Sequence, residues 1–211
     1  MKIAVIGGSG FVGSKIVDEA LLKEHEVISI FRTTPNQKKD HLTLEKMTIF
    51  DKDKLKKVLK DVDLVISAYN PGYYHVAQTK RYLEGYDLIF DVVKNLKKRI
   101  IVVIGATSLI AYDNELVKNG FHPKPWISAL EGPDLVYEKY KDDKDLNVTF
   151  ISPAAELIDG VKTKDYQYGL NHLLYDDNFE SRISVQDLAH AIIKEAVEKK
   201  YLNKRFTIAY K

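Results

Sequence analysis

Three glycines near the start of the chain share a fixed spacing, Gly7-x-x-Gly10-x-x-Gly13. A short apolar run, Lys2-Ile3-Ala4-Val5-Ile6, leads into them, and a helical pattern of Phe11, Val12, Ile16, Val17, Ala20 and Leu21 follows. Strand, glycine turn, helix is the order in which such glycines hold a dinucleotide. Gly7 can take backbone angles that a Cβ would forbid. Gly10 presents no side chain to a pyrophosphate, and Gly13 lets the helix pack closely on the strand. Gly8 and Ser9 complete the turn. The unsatisfied N–H groups and the dipole at the helix start attract phosphates. A glycine turn without a ligand is the alternative, and the strand–helix context argues against it.

The second chemically informative position is Arg32, at the end of an apolar run, Glu26-Val27-Ile28-Ser29-Ile30-Phe31. An acidic residue there would bind the ribose 2′-hydroxyl and repel a 2′-phosphate. This chain has Arg32-Thr33-Thr34-Pro35 instead. A guanidinium fork suits a phosphate, so NADP(H) is the preferred cofactor, with NAD(H) as the other candidate. The aromatic loop Tyr69-Asn70-Pro71-Gly72-Tyr73-Tyr74-His75 follows a fourth strand and opens onto the same crevice.

Composition narrows the classes. The chain has 211 residues, a net charge of +2 and 45% hydrophobic content. That suits one substantial core and offers no strong field for nucleic acid or an anionic membrane. Without cysteine, disulfides, thiolate metal sites and a thiol nucleophile are ruled out. His75, His122 and His172 lack metal-ligand spacing, so no metal is expected. The first strand begins at once, so no removable leader or membrane segment is expected, and the cytoplasm is the expected location.

The elements that must position these residues alternate between strand and helix. Further strands are expected at Met47–Phe50, Asp63–Ala68, Arg99–Gly105, Asn147–Ser152 and Arg205–Tyr210. Helices are expected at Lys52–Lys60, capped by Asp51, then from about Val76 to Leu96, from Pro133 to Lys141 and at Gln186–Lys199. Residues 111–132 read as loop with short helical pieces. The fold class is α/β: a Rossmann-type, doubly wound, mostly parallel sheet with helices on both faces. It is expected to be a single domain over residues 1–211, with residues 153–185 as a loop-rich substrate cap.

The glycine turn, Arg32, Gly105-Ala106-Thr107-Ser108-Leu109 and Ser152-Pro153-Ala154-Ala155 resemble the atypical short-chain dehydrogenase/reductases. The branch most similar is that of biliverdin-IXβ reductase/flavin reductase and bacterial NADH-flavin reductase-like proteins. Ile183-Ser184-Val185-Gln186-Asp187-Leu188-Ala189 and Arg205–Tyr210 carry the same resemblance, which spans nearly the whole chain. It implies an NAD(P)H-binding oxidoreductase that reduces flavins, quinones or other planar acceptors. By position, Gly7, Gly8, Ser9, Gly10, Phe11, Val12 and Gly13 would meet the pyrophosphate and Arg32 the 2′-phosphate. Asp51, Ala68, Tyr69 and Asn70 would line the cofactor, and Pro153 and Ala154 would flank the nicotinamide. Thr107 and Ser108 would lie beside the reacting ring, with Ser108 orienting a substrate.

The wider superfamily also uses a Tyr-x-x-x-Lys pair, in which the lysine lowers the phenol's pKa for proton exchange. Tyr137 and Lys141 have that spacing. Their helix is short before the next strand, so an amphipathic packing role competes with catalysis. A flavin acceptor would need mainly a stacking platform, for which Tyr69, Tyr73, Tyr74, Trp126 and Tyr166 are available. The partners expected are a small planar acceptor and, as is common for soluble enzymes, a second copy in a homodimer. Two other classes remain open: a non-catalytic NADP-binding redox sensor, and an epimerase or dehydratase.

Overall fold

Buried β-branched residues build the centre of the molecule. In the computed structural model, which describes residues 1–33, 37–72, 78–119 and 124–211 (the side chains of 124–129 excepted), the strands are β1 Lys2–Ile6, β2 Glu26–Phe31, β3 Leu42–Lys46, β4 Leu64–Ser67, β5 Arg99–Val103, β6 Val148–Pro153, β7 Glu156–Ile158, β8 Tyr166–Gly169, β9 Arg182–Ser184 and β10 Arg205–Tyr210. The helices are α1 Phe11–Leu22, α2 Lys52–Leu59, α3 Gln78–Asn95, α4 Lys124–Tyr140 and α5 Val185–Glu198, with a 3₁₀ turn at Val117–Asn119. Eight strands form one sheet in the order β3-β2-β1-β4-β5-β6-β10-β8. All neighbours are parallel except β8, which runs antiparallel to β10 at the edge. The order reverses between β1 and β4, which places the ligand crevice outside the carboxyl ends at that point.

Alternation along β1 sorts its side chains between two cores. Ile3 and Val5 join a cluster with Ile16 and Val17 of α1 and Ile192 of α5. Ala4 and Ile6 join one with Leu55 of α2, Tyr86 and Phe90 of α3 and Val136 of α4. Helices therefore cover both faces, as the alternating pattern requires.

Two elements differ from the sequence expectation. The third strand is Leu42–Lys46, paired to β2 through Val27↔Leu42, and Met47–Phe50 lies beyond it. Met47 and Ile49 are apolar because they are buried in the α2/α3 core, not because they sit in a ladder. β3 is a half-exposed edge strand, so its own pattern is faint. The fourth helix starts at Lys124, and Pro133 lies inside it. A helix interior normally resists proline. Here Gly132 lets α4 approach α3 so closely that an added Cβ would lie 2.8 Å from Tyr82, and Val136 is fully buried one turn on. Tertiary packing overrides the local signal.

The 153–185 segment carries its own order. β7 pairs in parallel with β9, and β8 extends the main sheet. Asp187, buried in the first turn of α5, organises it. Its carboxylate accepts hydrogen bonds from Thr163 N (3.0 Å), Lys164 N (2.7 Å), and the Thr163, Ser184 and Tyr210 hydroxyls. Burial by itself would raise the carboxyl's pKa, but the N–H and O–H donors hold it below the ordinary 3.8. A depressed folded-state pKa contributes stability above the unfolded value, which is lost as pH falls through it. Asp187→Asn is therefore expected to destabilise the protein at neutral pH and to weaken the acid dependence of its stability below about pH 4. Denaturant titrations of both proteins between neutral and acid pH would check this; parallel curves would refute it.

Candidate functional site

The glycine turn is held from three sides. Gly7 N and Gly8 N both donate to Ile30 O at the end of β2 (3.0 and 3.1 Å), and Gly10 N donates to Gly7 O (2.9 Å). Gly7 has φ +77°, and a Cβ there would meet Ala68 O of the β4 end at 2.6 Å. A Cβ on Gly13 would fall 2.0 Å from Gly7 O. At Gly10 a Cβ would meet only Gly7 O, at 3.3 Å, a mild crowding, and the residue is exposed. Gly7 and Gly13 thus serve the fold, while Gly10 keeps access free. Gly10 is the N-cap of α1 and supplies no side-chain oxygen, and the helix's first turn has no acidic residue. The donors of that turn and the positive end of the dipole face the crevice, beside partly buried Ser9 and Val12 and an exposed Phe11. This cradle fits a dinucleotide pyrophosphate.

Arg32 and Thr33 are exposed just beyond β2, on the side of the turn where the adenosine half of a dinucleotide would run. Thr34, Pro35, Tyr73, Tyr74, His75 and His122 lie outside the described residues, as does the side chain of Trp126. Ala68 N donates to Ile6 O (2.9 Å), and Asn70 Oδ1 accepts Gly72 N (2.8 Å) in a turn. Asp51 caps α2 by accepting Lys54 N at 3.1 Å.

Some expected platform residues face elsewhere. Tyr69 turns its ring into α3, against Tyr82 and Tyr86, and its hydroxyl donates to Arg81 O. The small surface at Gly85 admits it; a Cβ there would be 2.4 Å from the ring. Tyr166 is buried against α5, with its hydroxyl 2.6 Å from His190 Nδ1. Neither is an open stacking surface, because each ring has a core site to fill.

The loop after β5 holds Thr107 and Ser108, which are 4% and 6% exposed. Thr107 Oγ1 donates to Asp134 Oδ1 of α4 at 2.6 Å. Burial raises the Asp134 pKa above the ordinary carboxylate value, partly offset by the Thr107 hydrogen bond. Ser108 Oγ accepts Arg205 Nη1 at 3.0 Å, and Ser108 O accepts the same nitrogen at 3.1 Å. Both hydroxyls are therefore tied into anchors between the loop and the sheet. Asp134 and Arg205 were missed from sequence, since a lone acid after a proline and a lone arginine at a strand start carry no signal of partnership.

Tyr137 lies beside the anchor of the β5 loop, since the guanidinium on its ring is the one that binds Ser108. It sits in the last turn of α4, whose end lies at the amino edge of the parallel sheet. Its ring lies edge-on to Phe150 at 5.4 Å, and the Arg205 guanidinium stacks on it at 4.2 Å. Lys141 pairs with Glu138 at 2.7 Å. Tyr137 thus makes packing and cation–π contacts, and Lys141 Nζ also stands 5.8 Å from the centre of its ring. Pro153 and Ala154 do end β6 at the crevice side, and Ala154 is buried. Among the described residues, no group of three or more His, Cys, Asp or Glu could hold a metal, and no helix is long and apolar enough to cross a membrane.

Known proteins agree with this architecture. A Bacteroides thetaiotaomicron protein, a candidate epimerase, is 33% identical, with a TM-score of 0.90 over 99% of this chain and 96% of its own. A candidate NADH-flavin reductase of Streptococcus pneumoniae is 27% identical, with a TM-score of 0.87 over the whole of both chains. The uncharacterised Bacillus subtilis protein YwnB is 28% identical over 99% of this chain and 98% of its own length. Residues 7–199 match the NAD(P)H-binding family from the first glycine of the turn to the end of the last helix, and the chain belongs to that family.

Proposed function

We propose that the protein is an NADPH-preferring oxidoreductase that reduces a flavin, quinone or similar planar acceptor. The observation that carries this reading is the open Gly10 cradle at the start of α1 with Arg32 exposed beside it. NADPH, when bound, would supply the hydride. The Gly7–Gly13 turn and α1 would bind its pyrophosphate, and Arg32 its 2′-phosphate. The Thr107–Asp134 and Ser108–Arg205 bonds would hold the β5 loop as a fixed wall beside the nicotinamide. Water would supply the proton to the reduced acceptor. The name of the Streptococcus pneumoniae relative supports a flavin-type acceptor. The name of the Bacteroides relative favours an epimerase, but proton exchange at a carbon would call on the Tyr–Lys pair, and the Tyr137 ring is engaged by Phe150 and Arg205 and Lys141 by Glu138. A sensor without turnover draws support from the buried, already bonded hydroxyls of Thr107 and Ser108.

The test is oxidation of NADPH and NADH with flavin and quinone acceptors. Arg32→Ala is expected to raise the KM for NADPH about tenfold, as the loss of one exposed charge-assisted phosphate contact would, and to leave NADH unchanged. Equal effects on both cofactors would place Arg32 elsewhere. Cofactor-induced thermal stabilisation without turnover on any acceptor would favour the sensor.

A further inference from the structure

Two loops beyond the carboxyl ends of β5 and β6 bring three rings together. Tyr112 and Phe179 are the most exposed aromatic side chains among the described residues, at 71% and 61%. They touch edge to face at 5.1 Å, and Phe179 stacks on Tyr175 at 4.8 Å with an interplanar angle of 17°. The Tyr112 and Tyr175 rings also meet edge to face at 6.2 Å, so the cluster joins the two loops.

The chain presents Phe179 at a conformational cost. Its φ is +65°, the left-handed region that bulky side chains avoid. A tight turn imposes this: Phe179 N donates to Asp176 O (3.0 Å), while Asp176 Oδ1 accepts Asn178 N and Glu180 N (both 2.9 Å). At 61% exposure, little burial of the ring offsets the strain. Strain held at an exposed aromatic points to a ligand contact.

Position supports the same reading. Ser181, two residues on, accepts Ala155 N just past the end of β6, and the Tyr175 carbonyl shares Gln167 Nε2 with that of Tyr210 at the end of β10. A dinucleotide with its pyrophosphate at the β1 turn and its adenosine half at Arg32 must run its nicotinamide half over β4 and β5. The aromatic cluster stands one strand further along, where an acceptor would lie.

Charge selects among acceptors. Segments 112–115 and 175–182 carry Asp113, Glu115, Asp176, Asp177 and Glu180 against Arg182 as the one cation. Arg182 is already paired with Glu180 (2.9 Å) and Asp176 (3.8 Å). Such a rim repels phosphate.

We propose that Tyr112, Tyr175 and Phe179 form the stacking rim for an uncharged conjugated ring acceptor, a quinone or a flavin without phosphate, and that the acidic loops disfavour phosphorylated flavins. This rests on the reductase reading above. Phe179→Gly removes the ring and relieves the positive φ, so its melting temperature is expected to be equal to or higher than that of the wild type.

The experiment has two arms, both with the full chain. In the first, riboflavin fluorescence is titrated with protein plus NADP⁺. Quenching by the wild type, weakened about tenfold in Phe179→Gly and in Tyr112→Ser, is the expected result, tenfold being what about 1.4 kcal/mol of ring stacking supplies. Equal quenching in variant and wild type, or none in the wild type, would overturn the rim. So would a change in the dimer fraction instead of in riboflavin binding. In the second arm, NADPH oxidation is compared with riboflavin, menadione and FMN. A higher kcat/KM for the uncharged acceptors, and a raised acceptor KM in Phe179→Gly at unchanged NADPH KM, are expected. Preference for FMN would overturn the charge argument. Absence of turnover with any acceptor would overturn the reductase reading, while the quenching arm would still judge the rim.

Discussion

Gly13→Ala is expected to abolish NADPH binding within the measurable range and to lower stability by about 3 kcal/mol, a fall in melting temperature of about 10 °C for a chain of this size. The added Cβ would lie 2.0 Å from Gly7 O and 2.7 Å from Gly7 C. Both are backbone atoms, and Gly7 is itself pinned to Ile30 O of β2 and pressed against Ala68 O of β4. Neither partner can yield without moving a central strand. The start of α1 must shift instead, and with it the N–H groups that would receive the pyrophosphate. Gly10→Ala is the informative control. Its Cβ meets nothing closer than 3.3 Å, so the fold should persist while nucleotide affinity falls about a hundredfold, through steric exclusion of the phosphate. Calorimetric titration with NADP⁺ and thermal melts of both variants would check the pair. An alanine at Gly10 that left affinity intact would show that the cradle is not where the dinucleotide lies.

Glu195→Ala is expected to destabilise the protein by about 3 to 5 kcal/mol, with little direct effect on the crevice. Glu195 is 3% exposed and accepts Arg99 Nη2 at 2.6 Å, Lys200 N at 2.9 Å and Tyr201 N at 3.1 Å. It ties the first residue of β5 to the end of α5 and the turn that follows. Removing it strips the carboxylate from a guanidinium that is itself largely buried. Burial already lowers the Arg99 pKa, and the Glu195 charge opposes that shift. The backbone donors of Lys200 and Tyr201 would lose their acceptor at the same time. Glu195→Leu with Arg99→Met removes both charges together and is expected to recover a large part of the loss, because desolvation of the unpaired cation disappears. Denaturant unfolding of the two single variants and the double variant measures the coupling; additive losses would refute it.

The sequence by itself determined the parts of this protein that rest on local chemistry. Gly7, Gly10 and Gly13 between an apolar run and an amphipathic pattern are legible because turn, access and close packing each require a missing Cβ at that spacing. The parallel sheet is legible because strands buried on both faces, such as Ile100-Ile101-Val102, read as continuous apolar runs. Asp51 as the cap of α2 follows from its place before a helical pattern, and the structure shows that bond. Arg32 was visible as a position, since the residue after the second strand has a fixed place in this topology.

Tertiary structure alone decided the rest. The edge strand β3 hides from sequence because its side chains are half-buried or exposed, while Met47 and Ile49 imitate a strand from within the core. Pro133 reads as a helix start until α3 and Gly132 show that packing holds a longer helix around it. Tyr137 and Lys141 have the spacing of a proton pair, but spacing along a helix does not state that Arg205 and Phe150 pack on the ring. Arg99 and Glu195 are 96 residues apart, and Arg205 and Ser108 are 97 apart. Tyr112, Tyr175 and Phe179 come together only when the loop after β5 meets the segment between β8 and β9. Local preferences act over one or two turns of chain; these contacts depend on where distant segments meet, and only the assembled sheet specifies that.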